Sequence, residues 1–285
     1  MAEYPTGTFA DSYGNRWESN DICLFCQRAS GRFLFRLQNE RYPFLTDISP
    51  CIVKCDICGL AWVSPRVVQV TRSKAKAEKE TSASLAELAA HGMNLNQIEK
   101  FKAGGRLLDV GCGHGALLYE AEQRHWEAVG VEPNKEKARY ASEKFGVSVF
   151  AGYLEDSDLP DDYFDVVVME EVLEHLPNPF NLLLQVRRVL KGDGALFLTT
   201  PDIESFEARL LRERWVMLYV AGHIYFYSPT SLQRVLEQAG LTIWKRILYV
   251  PGQNRAKDLV KWLLTRSGTS INSLRILAGK RTETP

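Results

Sequence analysis

Short apolar runs alternate with amphipathic runs in the second half of the chain. The apolar runs have strand length and lie at residues 106–110, 127–131, 147–150, 164–169 and 194–199. The helix-like runs lie between them, at residues 116–124, 135–145 and 180–190. This order predicts an α/β fold with a parallel sheet covered by helices on both faces. The run Val166-Val167-Val168 is apolar on both faces, which is typical of a central parallel strand.

The pattern changes twice before this region. Residues 23–66 are strand-like and punctuated by cysteines, whereas residues 67–103 are rich in residues that favour helices. Gly104-Gly105 interrupts the helical pattern. We therefore predict a small N-terminal module at residues 1–66, a helical linker at 67–103 and a large domain at 104–285. In the large domain, the pattern further predicts a helix at residues 230–239 and strands at 241–250 and 273–278.

Composition limits the classes of function. The 285 residues are 45% hydrophobic, and 35 Lys and Arg residues balance 35 Asp and Glu residues. A balanced chain has no global field that attracts nucleic acid. No apolar run reaches the length of a membrane span, and the N-terminus lacks the pattern of a signal peptide. We therefore expect a cytoplasmic protein without a transmembrane segment, whose six cysteines stay reduced.

A glycine loop follows the first strand of the large domain. The segment Gly111-Cys112-Gly113-His114-Gly115 lies between an apolar strand and a helix. Glycines allow a sharp turn and close approach of a ligand to the backbone. Glu132 follows the next strand, about twenty residues on, where a carboxylate binds ribose hydroxyls. The spacing fits an NAD(P)-dependent oxidoreductase as well as an S-adenosylmethionine site, and the loop alone leaves both open.

Three further features favour the second alternative. Asp109 ends the strand before the glycines, where a carboxylate suits a methionyl ammonium better than a pyrophosphate. Residues 164–168 lead into Glu171-Val172-Leu173-Glu174-His175-Leu176-Pro177, and residues 189–194 precede a strand that ends Thr199-Thr200-Pro201. Together these segments resemble the class I S-adenosylmethionine-dependent methyltransferases over residues 104–280.

The resemblance implies a Rossmann-like, seven-stranded sheet with a reversed last strand, and residues 273–278 are the candidate for that strand. It also implies roles for individual residues. The backbone of Gly111 and Gly113 would lie beside the methionyl part of the cofactor. Asp109 would lie near the amino group of the cofactor, and Glu132 would bind its ribose hydroxyls. Tyr153 and Leu154 would lie by the adenine, and Met169 and Glu170 would line the cofactor. The implied reaction is methylation of a small molecule or biosynthetic intermediate, with oxygen as the favoured acceptor atom.

Four cysteines form two pairs at metal-knuckle spacing. Cys23 and Cys26 form the first pair, and Cys55 and Cys58 the second. Four thiolates predict a tetrahedral, structural zinc site, because they leave no open position on the metal. Cys51 is an alternative ligand, and a redox pair is the competing interpretation. The segment from Cys55 to Arg66 resembles the end of a zinc-ribbon-like module fused to many bacterial methyltransferases. A non-catalytic protein that binds partners through this module is a further alternative.

Histidines at strand ends are the candidate catalytic groups: His114, His175 and His223. On a helix, Glu171, Glu174 and His175 would share one face and converge on a divalent cation. This pattern resembles the catechol O-methyltransferases of ubiquinone synthesis and the small-RNA 3′-terminal 2′-O-methyltransferases, in which His223 would be a further ligand and magnesium the ion. The alternative is that His175 acts alone, since Leu-Glu-His-Leu is widespread without a metal. Trp215, Tyr219 and residues 225–227 line a pocket or belong to the core.

Overall fold

The computed structural model describes residues 7–19, 22–38, 41, 46–69, 85–248, 265 and 268–281. The chain divides into two compact units that are interleaved in sequence. Unit 1 comprises Met1–Glu80, Glu174–Pro177 and Pro201–Val235, and unit 2 comprises Thr81–Leu173, Asn178–Thr200 and Leu236–Pro285. The linear division at residues 66 and 103 stays a prediction. No helix among the described residues has the length and apolarity needed to cross a membrane.

The strands are numbered in chain order. They are β1 (Gly7–Ala10), β2 (Arg16–Ser19), β3 (Gly31–Arg36), β4 (Cys51–Cys55), β5 (Ala61–Ser64), β6 (Arg66–Gln69), β7 (Arg106–Val110), β8 (Glu127–Val131), β9 (Ser148–Phe150), β10 (Phe164–Glu170), β11 (Leu190–Pro201), β12 (Tyr225–Phe226), β13 (Leu241–Arg246) and β14 (Ser273–Lys280). The α-helices are α1 (Leu85–Glu99), α2 (Ala116–Gln123), α3 (Lys135–Phe145), α4 (Pro179–Val189), α5 (Phe206–Leu211) and α6 (Pro229–Gln238).

Unit 2 is built on a seven-stranded sheet in the order β13-β14-β11-β10-β7-β8-β9. Five neighbouring strands of this sheet pair in parallel, namely β11, β10, β7, β8 and β9. The strands β13 and β14 pair antiparallel. The predicted Rossmann-like methyltransferase sheet is therefore confirmed, with residues 273–280 as its last strand. β10 is buried along almost its whole length, as its apolar sequence predicts.

Local signals explain why the helices of unit 2 begin and end where they do. The Asn134 side chain accepts hydrogen bonds from the amides of Glu136 and Lys137 and so caps α3, and Gly146 ends that helix with a left-handed φ of 72°. Pro179 stands in the first turn of α4, where its missing amide costs nothing. The predicted strand 241–250 ends earlier than expected, at Arg246. The predicted helical residues 74–80 lie outside the described residues.

Unit 1 contains two small sheets, β1-β2-β6 and β12-β5-β4-β3. Its core is shared between the N-terminal residues and the segment after β11. Trp17, Ile52 and Val63 from the first part pack in one cluster with Trp215 and Phe226 from the second. Trp215, Phe226 and Tyr227 are all fully buried, so these aromatic residues are core.

Candidate functional site

The glycine loop in unit 2 turns sharply between β7 and α2. Gly111, Gly113 and Gly115 all have left-handed φ values, of 77°, 54° and 80°. A Cβ on Gly113 would meet nothing within 4 Å, whereas one on Gly115 would lie 2.7 Å from the Cβ of Ala141. The loop therefore has an open position at Gly113 and a packed one at Gly115. Gly113 therefore lies where a ligand can approach the backbone closely.

Glu132 lies at the carboxyl end of β8 and faces this loop. Its side chain is buried, with 8% of the residue exposed. One carboxylate oxygen accepts a hydrogen bond from the Gly113 amide at 2.9 Å, and the other accepts one from the Asn134 amide at 2.8 Å. The structure thus brings Glu132 and the open glycine together at one edge of the sheet, where parallel sheets bind their ligands.

Two more buried groups lie at this edge. Asp109 is the second-last residue of strand β7, just before the glycines, and only 4% of it is exposed. Cys112 is buried in the loop itself. Burial raises the pKa of the Cys112 thiol, and the charges of Asp109 and Glu132 raise that pKa further. Cys112 therefore remains a neutral thiol at physiological pH and lies outside the cysteine cluster of unit 1.

The predicted adenine residues differ in exposure. Tyr153 is 58% exposed, whereas Leu154 is buried. Met169 is buried at the end of β10, and the next residue, Glu170, accepts a hydrogen bond from the Asn94 side-chain amide at 2.7 Å. Sequence reasoning missed Asn94, because one polar residue on a helix of the predicted linker carries no signal of its partner.

The four predicted zinc ligands converge in unit 1. The four Sγ atoms all lie within 4.8 Å of one another; they belong to Cys23, Cys26, Cys55 and Cys58. The Cys23 and Cys58 sulfurs are 3.5 Å apart, and those of Cys26 and Cys55 are 3.8 Å apart. Sulfurs about 2.3 Å from a tetrahedral zinc lie about 3.8 Å apart. The cluster therefore has the dimensions of a zinc site, and all four cysteines are free thiols.

Each cysteine pair forms a knuckle with a left-handed residue after its second cysteine. Gly59 has φ 79°, as the sequence predicts, and Gln27 has φ 51° without being glycine. The contact between the Cys23 and Cys58 sulfurs lowers the pKa of the Cys23 thiol to about 5 and raises the pKa of Cys58, so these two sulfurs share one proton. Cys51 lies outside the cluster and donates a hydrogen bond to the carbonyl of Ser64 at 3.0 Å.

Three of the four residues predicted for a second cation converge elsewhere in unit 1. Ligand atoms of Glu174, His175 and His223 lie within 4.8 Å of one another. The prediction that Glu171 joins them on one helical face was wrong. Glu171 has a left-handed φ of 52° and precedes a short 3₁₀ helix at Leu173–His175, so the spacing does not place it on a shared face. Its carboxylate instead accepts a hydrogen bond from the Thr199 hydroxyl at 3.1 Å.

His223 is fixed by its surroundings. Its Nδ1 lies 2.9 Å from the carbonyl of Met217, which makes Nδ1 the protonated nitrogen. The Nε2 atom lies 3.7 Å from a carboxylate oxygen of Glu174, and the ring centroids of His175 and His223 are 4.7 Å apart. Burial lowers the pKa of His223 to about 4, and His175 adds to this shift. His223 is therefore neutral at physiological pH and offers a lone pair at Nε2.

Gly222 holds the chain close to His175. It has φ 86°, and a Cβ at this position would lie 2.9 Å from Nδ1 of His175. Sequence reasoning missed Gly222, because no pattern in the sequence shows that residue 222 approaches His175. His114 lies in the other unit, edge-on to Tyr140 with ring centroids 5.2 Å apart, and does not belong to this cluster.

Comparison with known proteins identifies the family. A family model described as a methyltransferase domain matches residues 78–246, more than half of the chain. The ubiquinone biosynthesis O-methyltransferase of Xanthomonas euvesicatoria is 34% identical over 170 residues, which cover 54% of this chain and 71% of that protein. The protein of the same name from Aeromonas salmonicida is 29% identical over 169 residues, with 54% and 71% covered.

Solved structures agree on the fold. The S-adenosylmethionine-dependent methyltransferase of Mesorhizobium loti superposes with a TM-score of 0.51 at 16% identity, covering 65% of this chain and 97% of that chain. The PH0226 protein of Pyrococcus horikoshii gives a TM-score of 0.52 at 18% identity, covering 70% and 94%. The family match decides between the two interpretations of the glycine loop, against the NAD(P)-dependent oxidoreductase. The chain therefore belongs to the methyltransferase-domain family, within the class I S-adenosylmethionine-dependent methyltransferases.

Proposed function

We propose that this protein methylates an oxygen atom of a small-molecule biosynthetic intermediate. The acceptor atom is inferred from the relatives at 29% and 34% identity, which are both named as O-methyltransferases. The observation that carries the cofactor assignment is the pair of hydrogen bonds that Glu132 accepts at the glycine loop. A buried carboxylate at the end of the second strand is the group that such sheets use to bind ribose hydroxyls.

The roles of the cofactor residues follow from this position. In the proposed complex, Glu132 accepts hydrogen bonds from the ribose, and Asp109 neutralises the methionyl ammonium. The backbone of Gly111 and Gly113 passes close to the cofactor. The space that a Cβ would fill is open at Gly113, whereas a Cβ on Gly111 would lie 2.7 Å from Cγ2 of Val172. Tyr153 and Leu154 flank the adenine, and Met169 and Glu170 line the remaining wall. Bound S-adenosylmethionine supplies the methyl group as a sulfonium, so the protein mainly aligns donor and acceptor.

An oxygen acceptor loses its proton during transfer, and a base assists this step. We propose His175 as the group that takes the proton and His223 as the residue beside it. His175 is the more exposed of the two, and its ring lies edge-on to the neutral His223.

We further propose that the four cysteines hold a structural zinc ion. The separations of 3.5 and 3.8 Å between their sulfurs fit a tetrahedral site. Four sulfurs leave no open position, so this metal would stabilise unit 1 rather than take part in methyl transfer.

Glu174, His175 and His223 suit a different kind of ion. Two imidazoles and one carboxylate favour a first-row transition metal, whereas magnesium favours oxygen ligands. The magnesium expected from the resemblance to catechol O-methyltransferases has no support in this ligand set. A cation here would lower the pKa of an acceptor hydroxyl, so that its proton could pass to water without a protein base.

The acceptor is best found by labelling. Purified protein is incubated with radiolabelled S-adenosylmethionine and a metabolite extract, and the labelled product is identified by mass spectrometry. A methyl ether or ester is the expected product. A label on carbon or nitrogen would contradict the proposed acceptor atom, and cofactor binding without any transfer would favour a non-catalytic binding protein.

The second cation is tested by mild chelation that leaves the zinc content of the protein unchanged. If the three-residue cluster binds a cation, turnover falls and returns with manganese or cobalt but not with magnesium. His223→Ala should abolish this recovery, because it removes one of three ligands. Unchanged turnover after chelation would leave His175 acting as base without a metal.

A further inference from the structure

We propose that the zinc module, the part of unit 1 that carries the two cysteine knuckles, holds the cluster of Glu174, His175 and His223 in position. In this role, metal binding at the four cysteines fixes the backbone that carries His223. This inference rests on the proposed zinc site. It concerns unit 1 alone, so it can be tested separately from the identity of the methyl acceptor.

The first link is the hairpin that carries two of the cysteines. The knuckle at Cys55–Cys58 forms the turn between β4 and β5, and the Cys55 amide donates to the carbonyl of Leu60 at 2.8 Å. β4 and β5 then pair in register from Lys54 opposite Ala61 to Cys51 opposite Ser64. A metal that holds the knuckle therefore also holds the start of β5.

The second link joins β5 to the chain that carries His223. β12 pairs antiparallel with β5, with Tyr225 opposite Trp62 and Phe226 opposite Ala61. The amide of Val63 also donates to the carbonyl of Ile224 at 3.1 Å. β12 has only two residues, and a strand this short is held by its neighbour rather than by its own propensity.

The third link reaches the cluster itself. The amide of Ile224 donates to the backbone carbonyl of Glu174 at 3.0 Å. Ile224 is therefore bonded on one side to β5 and on the other to the residue that supplies the carboxylate. Its preceding neighbour is His223, whose Nδ1 is fixed by the carbonyl of Met217. Loss of β5 would remove the partner strand of β12 and the bond from Val63, and the bond from Ile224 to Glu174 would remain as the other half of this bridge.

Side chains reinforce the same connection. Lys54 forms an ion pair with Glu204 at 2.6 Å, and Phe25 stacks on Tyr227 with ring centroids 6.1 Å apart. A Cβ on Gly59 would lie 2.8 Å from the hydroxyl of Ser228. Both knuckles thus contact the residues just after β12, so the cysteine cluster and the histidine cluster belong to one packed body.

The experiment compares the wild-type protein with Cys58→Ser and Cys51→Ser in the full chain. Cys58→Ser removes a ligand, whereas Cys51→Ser changes a cysteine of the same module that lies outside the cluster. Zinc content is measured directly, so failure of the proposed zinc site would be recognised by itself. Hydrogen exchange of residues 222–227 reports on β12, and exchange of residues 127–131 reports on unit 2.

We expect Cys58→Ser to lose zinc and to speed exchange at residues 222–227 by about ten-fold or more, with little change at 127–131. Cys51→Ser should match the wild type in both segments. A chelator that removes zinc from the wild-type protein should reproduce the Cys58→Ser pattern without any substitution. Equal acceleration in both segments would make the module a general stability element and overturn the proposal, as would zinc loss without any acceleration.

A spectroscopic measurement separates positioning from mere stability. The chain has five histidines, and nitrogen-labelled histidine NMR distinguishes the two ring tautomers. The signal of His223, assigned by its absence in His223→Gln, should show the Nδ1-protonated tautomer in the wild type and in Cys51→Ser. In Cys58→Ser it should become a mixture of tautomers. A His223 signal that is identical with and without zinc would overturn the proposal.

Discussion

The two units hold their candidate ligand groups by different means. In unit 2, the groups come from consecutive elements of one sheet, and Asp109, Gly113 and Glu132 follow two adjacent parallel strands. In unit 1, they come from segments that are far apart in sequence: Glu174 and His223 are brought together by a backbone hydrogen bond from Ile224 to Glu174. The cofactor site is thus a local product of strand order, whereas the clusters of unit 1 depend on long-range packing.

Because of this difference, a substitution should affect different residues in the two units. A change in the sheet of unit 2 alters the site near it, because neighbouring elements in sequence are also neighbours in space. A change in the N-terminal module reaches residues that lie about 150 positions later, as the ion pair of Lys54 and Glu204 illustrates.

Two buried tryptophans give a matched pair for this contrast. Trp17 is fully buried in the shared core of unit 1, and Trp126 is 3% exposed in the core of unit 2. Either change to alanine should lower the free energy of unfolding of its unit by about 3–5 kcal/mol. In Trp17→Ala, hydrogen exchange should speed up at residues 215–226, whereas in Trp126→Ala it should speed up in α2 and β8. Unchanged exchange at 215–226 in Trp17→Ala would show that unit 1 is not one cooperative body.

Glu132 provides the largest expected effect on binding. Glu132→Ala removes the carboxylate proposed for the ribose and leaves the amides of Gly113 and Asn134 without their acceptor. Hydrogen bonds to a charged group contribute about 1.5–3 kcal/mol, so affinity for S-adenosylhomocysteine should fall by about 100-fold. Calorimetric titration measures this loss. Glu127→Gln is the control on the same strand: its carboxylate is 75% exposed, and its affinity should stay within about two-fold.

The sequence predicted unit 2 well because its signals are local. Hydrophobic periodicity gave β7, β8 and α3 at the residues where the structure has them. The edge where Asp109 and Glu132 meet follows from parallel strand order alone. The knuckle at each cysteine pair was also predictable, because its spacing is a short-range property of the chain. The convergence of the two pairs was expected from the zinc chemistry of four thiolates and not from a local signal.

The remaining features could not be predicted for physical reasons. The spacing of Glu171 and Glu174 implies a shared face only on a continuous helix, and a left-handed residue at Glu171 breaks that condition. β12 is too short to have a hydrophobic period, so its pairing with β5 leaves no pattern in the sequence. The shared core of unit 1 depends on contacts between residues such as Trp17 and Phe226, which no local signal encodes.

Two glycines of the loop should separate binding from stability. Gly115→Ala places a Cβ 2.7 Å from Ala141 in a left-handed backbone, so the free energy of unfolding should fall by about 2 kcal/mol. Gly113→Ala meets no atom within 4 Å and should cost only about 1 kcal/mol of stability. The Gly113 backbone is proposed to lie against the cofactor. The affinity of the Gly113→Ala variant for S-adenosylhomocysteine should therefore fall about ten-fold. Urea unfolding and calorimetry measure both variants, and equal stability losses would contradict the difference in packing.

Asp165 tests a charge network that is confined to unit 2. Its carboxylate accepts a hydrogen bond from the backbone amide of Arg106 at 2.9 Å. It also lies 2.8 Å from the ammonium groups of both Lys102 and Lys191. Burial raises the pKa of Asp165, but these three partners outweigh it and hold the pKa well below its ordinary value. Because the folded pKa is lowered, the stabilisation is present above the unfolded pKa of about 3.9 and is lost as the pH falls toward the folded value.

Asp165→Asn should therefore lower the free energy of unfolding by about 1.5 kcal/mol at pH 7, and the difference from the wild type should shrink as the pH falls below about 4. Urea unfolding across this range measures it. Asp161→Asn is the control, because the Asp161 carboxylate is 69% exposed and pairs with Arg188 at the surface, where such pairs contribute little. The network is local to unit 2, so exchange at residues 222–227 should stay at its wild-type rate in both variants. A change there would mean that the two units do not respond separately.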